Sequence, residues 1–303
     1  MVTLEQVSAL QKRTTDEVFH ALGLKKDGPL RRALGGLVAR PTRRFAGMFA
    51  AADEEIAHSG IPGGSRSLLP EFNIDLQAQG AEALPAQGPL LIVSNHPGAY
   101  DSICLASCLP RTDLKIIVWE VPFYRAMRNA GRWFIYTHAD AAVRLESLRQ
   151  GIRHLLAGGS LLLFATATID PDPAVMPGAG DEIRKWSSSI EAFLRKVPDL
   201  QTCLGIASGV IERRFAHHPL TRIQRGALER RRLAEVLQIL HQLAHPNSLH
   251  PQVRLSFSPP ITAAELAQES GDPRRLLSAV TARGVELLQQ HMRRWYGSPN
   301  LSP

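Results

Sequence analysis

Leu90-Leu91-Ile92-Val93-Ser94-Asn95-His96-Pro97-Gly98-Ala99-Tyr100-Asp101 is the stretch that decides how the chain folds. An apolar run stops at Asn95-His96, a Pro-Gly turn follows, and Asp101-Ser102 open a helical pattern. A short continuous apolar run bounded by turn residues is the signature of a strand buried on both faces. This strand delivers a histidine to its carboxyl end, and the turn brings an aspartate back towards it five residues later. In open α/β sheets, ligands bind at the carboxyl ends of strands. A histidine with an aspartate in reach is an oriented general base, able to take a proton from a hydroxyl or an amine.

Working outward, strands and helices alternate. A helix at about 101–109 precedes the buried strand Lys115–Trp119. A helix near 122–130, the strand Trp133–Tyr136 and a helix over about 140–156 follow. Gly158-Gly159 open the strand Ser160–Phe164, and Pro171, Pro173, Pro177, Gly178 and Gly180 break up a loop near the active face. Beyond it lie a helix at 187–197, the strand Gln201–Ile211, a helix to about His245, a strand at 253–258, and helices at about 262–270 and 272–296. On the amino-terminal side, Phe72, Ile74 and Leu76 alternate as a strand, and a loop from Gly80 to Gly88 leads into the central run. Such alternation gives an α/β fold with a mostly parallel central sheet flanked by helices, here over residues 71–303.

Residues 1–70 form a small N-terminal helical region. Thr3 and Gln6 suit a capping box, and Gly23 with the Lys25-Lys26-Asp27-Gly28-Pro29 cluster ends the first helix. Pro29 and Pro41 each suit the first turn of a further short helix. Phe45, Met48 and Phe49 share one side with Arg43 and Arg44 beside them. That face either packs on the main domain, as most apolar stripes do, or rests on anionic lipid. Residues 60–70, rich in Gly, Pro and Ser, read as a linker or extended arm.

Composition narrows the partners. The 303 residues carry 35 Lys+Arg against 28 Asp+Glu, a formal net charge of +7, and most of the cations are arginine. The balance fits an anionic partner. Nucleic acid is a poor fit, because no aromatic platform or recognised motif accompanies the arginines and aromatic content is 6%. The densest basic stretch holds Arg213, Arg214, Arg222, Arg225, Arg230, Arg231 and Arg232. Such a run is usually a solvated face; its other readings are a grip on coenzyme A phosphates, a meeting surface for an acidic carrier protein, or a seat on anionic lipid. Cys104, Cys108 and Cys203 are too few and too odd in number for a disulfide framework, which points to a reducing compartment. Cys104 and Cys108 read as small core residues rather than metal ligands, and His241 and His245 as solvated surface. No apolar run is long enough to span a bilayer and no signal-peptide pattern opens the chain, so the expected location is cytoplasmic.

The segment from about 72 to 211 resembles the glycerolipid acyltransferases, the lysophosphatidic acid and glycerol-3-phosphate acyltransferases. That family's first block, Asn-His-x4-Asp, is matched by Asn95 to Asp101. Its second, a Gly before a Phe-Ile strand, is similar to Gly131-Arg132-Trp133-Phe134-Ile135. Its third is Phe-Pro-Glu-Gly-Thr after a Gly-Gly-x-Leu-Leu strand; here Gly158-Gly159-Ser160-Leu161-Leu162-Leu163-Phe164 continues as Ala165-Thr166-Ala167-Thr168. The fourth, an apolar strand with small residues, would be Leu204-Gly205-Ile206-Ala207. Two departures fall in the acceptor-binding half. Tyr136-Thr137 stand where typical members carry an Arg for the acceptor's phosphate, and Thr166 replaces the Glu.

The resemblance implies an acyltransferase with a fatty acyl thioester, on coenzyme A or acyl carrier protein, as donor. His96 would be the general base on the hydroxyl of a lipid-like acceptor and Asp101 would orient it. Asn95, Gly98, Arg132, Tyr136, Thr137, Thr166 and Thr168 are the implied substrate-binding residues, and His138 and Asp140 could face the same cleft. The chemistry needs no metal and no redox cofactor. A protein of this kind would sit peripherally on the anionic inner face of the membrane, using an acceptor other than glycerol 3-phosphate or another way of holding it. A non-catalytic lipid or acyl-chain binding protein and a thioesterase are the alternatives on the same fold.

Overall fold

The computed structural model describes residues 2–24, 28–98, 100–272 and 274–297. Ala99 of the central motif, the Lys25-Lys26-Asp27 cluster and Pro273 lie outside the described residues. Two helices come first, α1 (Leu4–Ala21) and α2 (Pro29–Glu71). They are followed by β1 (Asp75–Gln79), β2 (Leu90–Ser94), α3 (Asp101–Ser107), β3 (Leu114–Trp119), α4 (Pro122–Ala126) and β4 (Phe134–Thr137). The centre holds α5 (Ala141–Leu156), β5 (Ser160–Phe164), α6 (Ala179–Ile183), α7 (Ser189–Lys196) and β6 (Gln201–Ser208). The last elements are α8 (Arg213–Ala216), α9 (Ala227–Ala244), β7 (Gln252–Phe257), α10 (Ala263–Ser270) and α11 (Leu276–Tyr296).

The seven strands form one sheet in the order β1-β7-β6-β2-β5-β3-β4. Strands β6, β2, β5, β3 and β4 are mutually parallel, the fold the alternation predicts. Strand β7 runs antiparallel to β6 and carries β1 parallel to itself, so these two strands oppose the rest. Every residue of the central β2 is buried, whereas β1 at the edge is mostly exposed. The pleat sends alternate β2 side chains to opposite faces. Leu90 and Ile92 join the core beneath α2 and α3, and Leu91 and Val93 join the core beneath α7 and α11.

Three N-terminal expectations change. Residues 60–70 are helical and largely buried, not an extended arm. Helix α2 breaks at Gly60, whose φ of 66° is left-handed and whose added Cβ would lie 2.1 Å from Thr112 O. The small residues then serve close packing: a Cβ at Gly64 would meet Ala52 O at 2.8 Å. Pro41 lies inside α2 rather than opening a new helix. The apolar face of α2 points to the core, with Phe45 stacked on Phe49 at 4.4 Å and both rings against Phe72 and Phe123. Thr3 caps α1 by accepting from Gln6 N at 3.2 Å, but the Gln6 side chain donates to the buried Asp53 instead of returning to the cap. Asp53 also accepts from the amides of Arg128, Asn129 and Ala130, fixing the turn that leads into β4.

Candidate active site

The carboxyl end of β2 is pinned from both neighbouring strands. Ser94 O accepts from Ala165 N beyond β5, at 3.2 Å. The Asn95 amide faces β6, donating to Ala207 O at 2.9 Å and accepting from Ala207 N at 2.8 Å. The Asn95 side chain is thus taken up by the scaffold, and its role is to fix where the next residue emerges. Gly98 turns the chain with φ 118°, a conformation that side-chain-bearing residues rarely adopt. Its amide donates to Asp101 Oδ2 at 3.0 Å.

Asp101 opens α3, where the helix dipole favours a carboxylate, and it is fully buried. Its Oδ2 receives His96 Nδ1 at 2.7 Å, and its Oδ1 is buried without a hydrogen-bond partner among the described residues. With Nδ1–H given to the carboxylate, the lone pair of the neutral imidazole sits on Nε2. The ring stacks on Phe164 at the end of β5, centroids 4.3 Å apart, and the side chain is 29% exposed. It is a base held on one side and open on another. Burial works against the imidazolium, but the charge and hydrogen bond of Asp101, with Glu235 and Asp170 beyond, outweigh it and raise His96 to about 9.

Asp170 and Asp172 were not singled out by the sequence. Asp170 brackets the His96 backbone: its Oδ2 accepts from His96 N at 2.8 Å and its own amide donates to His96 O at 2.7 Å. Burial raises its carboxyl, and the bond from the His96 amide opposes that. Asp172, fully buried, accepts from the amides of Ala174, Gly209, Val210 and Ile211 at 2.7–3.0 Å. Burial raises this carboxyl too, against those four amides. The two aspartates therefore tie the loop after β5 to the ends of β2 and β6. The usable signal was Asp170-Pro171-Asp172-Pro173, since loop aspartates beside prolines characteristically collect backbone amides.

Helix α9 closes over this edge. Arg231 Nη1 donates to Ile169 O at 2.7 Å, and a Cβ placed on Gly98 would lie 3.5 Å from the Glu235 carboxylate and 3.7 Å from Ile169. Gln238 ties the helix to Val210 O and Glu212 N, at 2.7 Å each, and Gln242 bonds the Tyr100 hydroxyl and Phe72 O. These four residues recur every three to four positions, one polar stripe facing the site. The turn after β5 follows the position of the third block without its Pro, Glu and Gly. Ala167, at the position of the family's Gly, holds φ 56°. Thr166 and Thr168 lie in that turn, Thr166 Oγ1 donating to Thr168 O at 3.1 Å.

The second-block residues are not brought to His96. Strand β4 is three places from β2, so at the usual strand spacing Thr137 is roughly 14 Å from the end of β2. Tyr136 lies under the Arg125 guanidinium at 3.8 Å and Arg132 donates to Ala57 O at 3.1 Å. Thr137 O receives the Glu120 amide at 3.0 Å. His138 stacks on Trp119 beside them, and Asp140 caps α5. Cys104 and Cys203 are buried in the core.

The mostly parallel sheet thus carries a hydrogen-bonded His–Asp pair at the carboxyl end of its central strand, an arrangement suited to accepting a proton from a hydroxyl or water. Residues 75–185 match the family described as Acyltransferase, which bears out the resemblance drawn from the sequence blocks over that stretch. No match is found among curated proteins. Among solved structures the chain is similar to the 1-acyl-sn-glycerophosphate (LPA) acyltransferase PlsC from Thermotoga maritima, at 14% identity and a TM-score of 0.41, covering 93% of this chain and 95% of that one. A likeness at that score decides nothing about the site.

Proposed function

We propose that the protein transfers a fatty acyl group from a thioester, on coenzyme A or acyl carrier protein, to the hydroxyl of a lipid-like acceptor at an anionic membrane surface on the cytoplasmic side. The observation that carries this reading is the 2.7 Å His96–Asp101 pair, set at the end of β2 inside the acyltransferase-family segment. His96 Nε2 takes the acceptor's hydroxyl proton as the oxygen attacks the thioester carbonyl. The carbon–sulfur bond breaks, and the imidazolium returns the proton to the departing thiolate. Asp101 holds the imidazole in the required tautomer and stabilises its charged form. A thioester is already activated towards attack, so the reaction calls for neither metal nor redox cofactor.

The altered acceptor half fits a different acceptor. No arginine stands at Tyr136-Thr137, and Asp101, Asp170 and Glu235 make the surroundings of His96 acidic. A phosphate held beside the base is disfavoured there.

The test is mass spectrometry of lipid products after incubation with mixed acyl-CoA donors and candidate acceptors. The wild-type chain should form an acylated lipid, and His96→Ala should lose it by at least about a hundredfold. Unchanged product in the variant refutes the assignment. Fatty acid released without acceptor identifies a thioesterase, and tight acyl binding without coenzyme release identifies a binding protein.

A further inference from the structure

The stretch after β6 is turned inside out for a soluble loop. Residues Pro219–Ile223 form a short 3-10 turn in which the polar Thr221 is buried while Leu220 is 45% and Ile223 73% exposed. The turn is not loose. Thr221 Oγ1 donates to His218 O at 2.7 Å, and Arg230 Nε donates to Gln224 O at 2.8 Å, closing the far side. A fixed turn that spends its polar side chain inward and shows two branched apolar ones outward is built to meet something apolar.

The stretch that carries the two side chains is cationic. Residues 213–232 hold seven arginines and one acid, Glu229. Arg213, Arg222 and Arg225 are exposed and make no ion pair among the described residues. Exposed apolar tips on a stretch rich in exposed arginines match an interface where hydrocarbon lies beneath anionic headgroups. Charge alone would suit an acidic protein equally; the outward Leu220 and Ile223 favour the bilayer, whose interior takes them up.

The patch is at the right edge of the sheet. It leaves the carboxyl end of β6, the parallel neighbour of β2, where Asp172 anchors Gly209, Val210 and Ile211. Helix α9 then runs from the patch to the site wall, and Glu235 at Gly98 is roughly 12 Å along it from Ala227. We infer that the turn Pro219–Ile223, with Arg213, Arg222 and Arg225, is the surface by which this protein docks on an anionic bilayer, bringing the His96 edge against it. This rests on the membrane acceptor proposed above, but docking is measurable without turnover.

The experiment is co-sedimentation of the full chain with phosphatidylcholine vesicles, with and without phosphatidylglycerol. Wild-type protein should bind only the vesicles with phosphatidylglycerol, and less as salt is added. Arg222→Gln with Arg225→Gln should weaken binding about thirtyfold, from the usual contribution of basic residues near an anionic surface. Leu220→Ser with Ile223→Ser should weaken it at least about tenfold. Ile223→Ser alone, the most exposed of these changes, guards against a misfolded double variant and should weaken binding in the same direction. Failure of the wild-type chain to bind, or binding undiminished in these variants, overturns the proposal. Variants that keep vesicle binding but lose binding to purified acyl carrier protein overturn it in favour of a protein partner. Docking without acyl transfer would leave the surface standing and refute the proposed reaction; transfer without docking would do the opposite.

Discussion

Asp101→Asn separates the physical parts of the His96 pair. The amide is nearly isosteric, so the shape of the turn survives while the charge is lost. Its oxygen must replace Oδ2, which receives both His96 Nδ1 and Gly98 N. The NH2 then occupies the Oδ1 position, which is buried with no partner among the described residues, and leaving those donors unsatisfied costs about 1–3 kcal/mol at every pH. The charge effect, by contrast, depends on pH. His96 is raised from 6.5 to about 9, an interval worth about 3 kcal/mol at about 1.36 kcal/mol per unit. Because the folded value lies above the unfolded one, this stabilisation is complete below about pH 6.5 and disappears as pH rises through about 9. In Asp101→Asn only the more distant Glu235 and Asp170 still oppose burial, and His96 should titrate well below about 9. Urea unfolding of wild type and variant should therefore differ most at pH 6 and differ by about 3 kcal/mol less at pH 9.5. The acid limb of transfer activity, followed by thiol release, should move down by two units or more, with a lower plateau. A stability difference independent of pH, or an unmoved His96 titration by NMR, would refute the coupling.

Asp170→Asn keeps an oxygen for the His96 amide but removes a charge near the ring. The acid limb should fall, by less than in Asp101→Asn, and the unfolding midpoint should fall with it below about pH 9; an unmoved limb would reduce Asp170 to a structural clamp. Ala167→Gly relieves a left-handed alanine and should stabilise by about 1 kcal/mol in urea unfolding, with no gain pointing to a relaxed turn. His291 is buried between Ser208 and Ser256, at 2.6 and 2.8 Å, and burial pushes it down to about 3. Its folded value lies below the unfolded one, so stability should fall as pH drops from about 6.5, by up to about 1.4 kcal/mol per unit from this residue. His291→Gln should flatten that slope between pH 6.5 and 4.5, and an unchanged slope would place the acid sensitivity elsewhere.

Local pattern was enough for the parts of the fold that depend on local pattern. The run Leu90–Val93 could only be a doubly buried strand, and the Gly158-Gly159 run before Phe164 announced a second one beside it. The spacing from His96 to Asp101 is a property of one turn and one helix start, so the pair was legible before any tertiary contact was known. Opposed strand direction was not legible, because β7 alternates the same way whether it runs with β6 or against it. The Gly- and Pro-rich stretch 60–70 misled for a related reason. Glycine marks both freedom and close approach, and only the neighbours Thr112 and Ala52 decide between them.

The sequence by itself determined the parallel strands of the α/β core and the His96–Asp101 pair, because each is written in residues a few positions apart. Tertiary structure alone decided what stands around the base. Asp170 reaches His96 from 74 residues away, and Glu235 arrives on a helix that the chain lays over the site after β6 is complete. It also removed Tyr136 and Thr137 from the vicinity of His96, since strand order rather than motif order sets distance across a sheet. Which side of a short turn faces water is settled by what the turn packs on, and so the buried Thr221 and exposed Ile223 could not be read in advance.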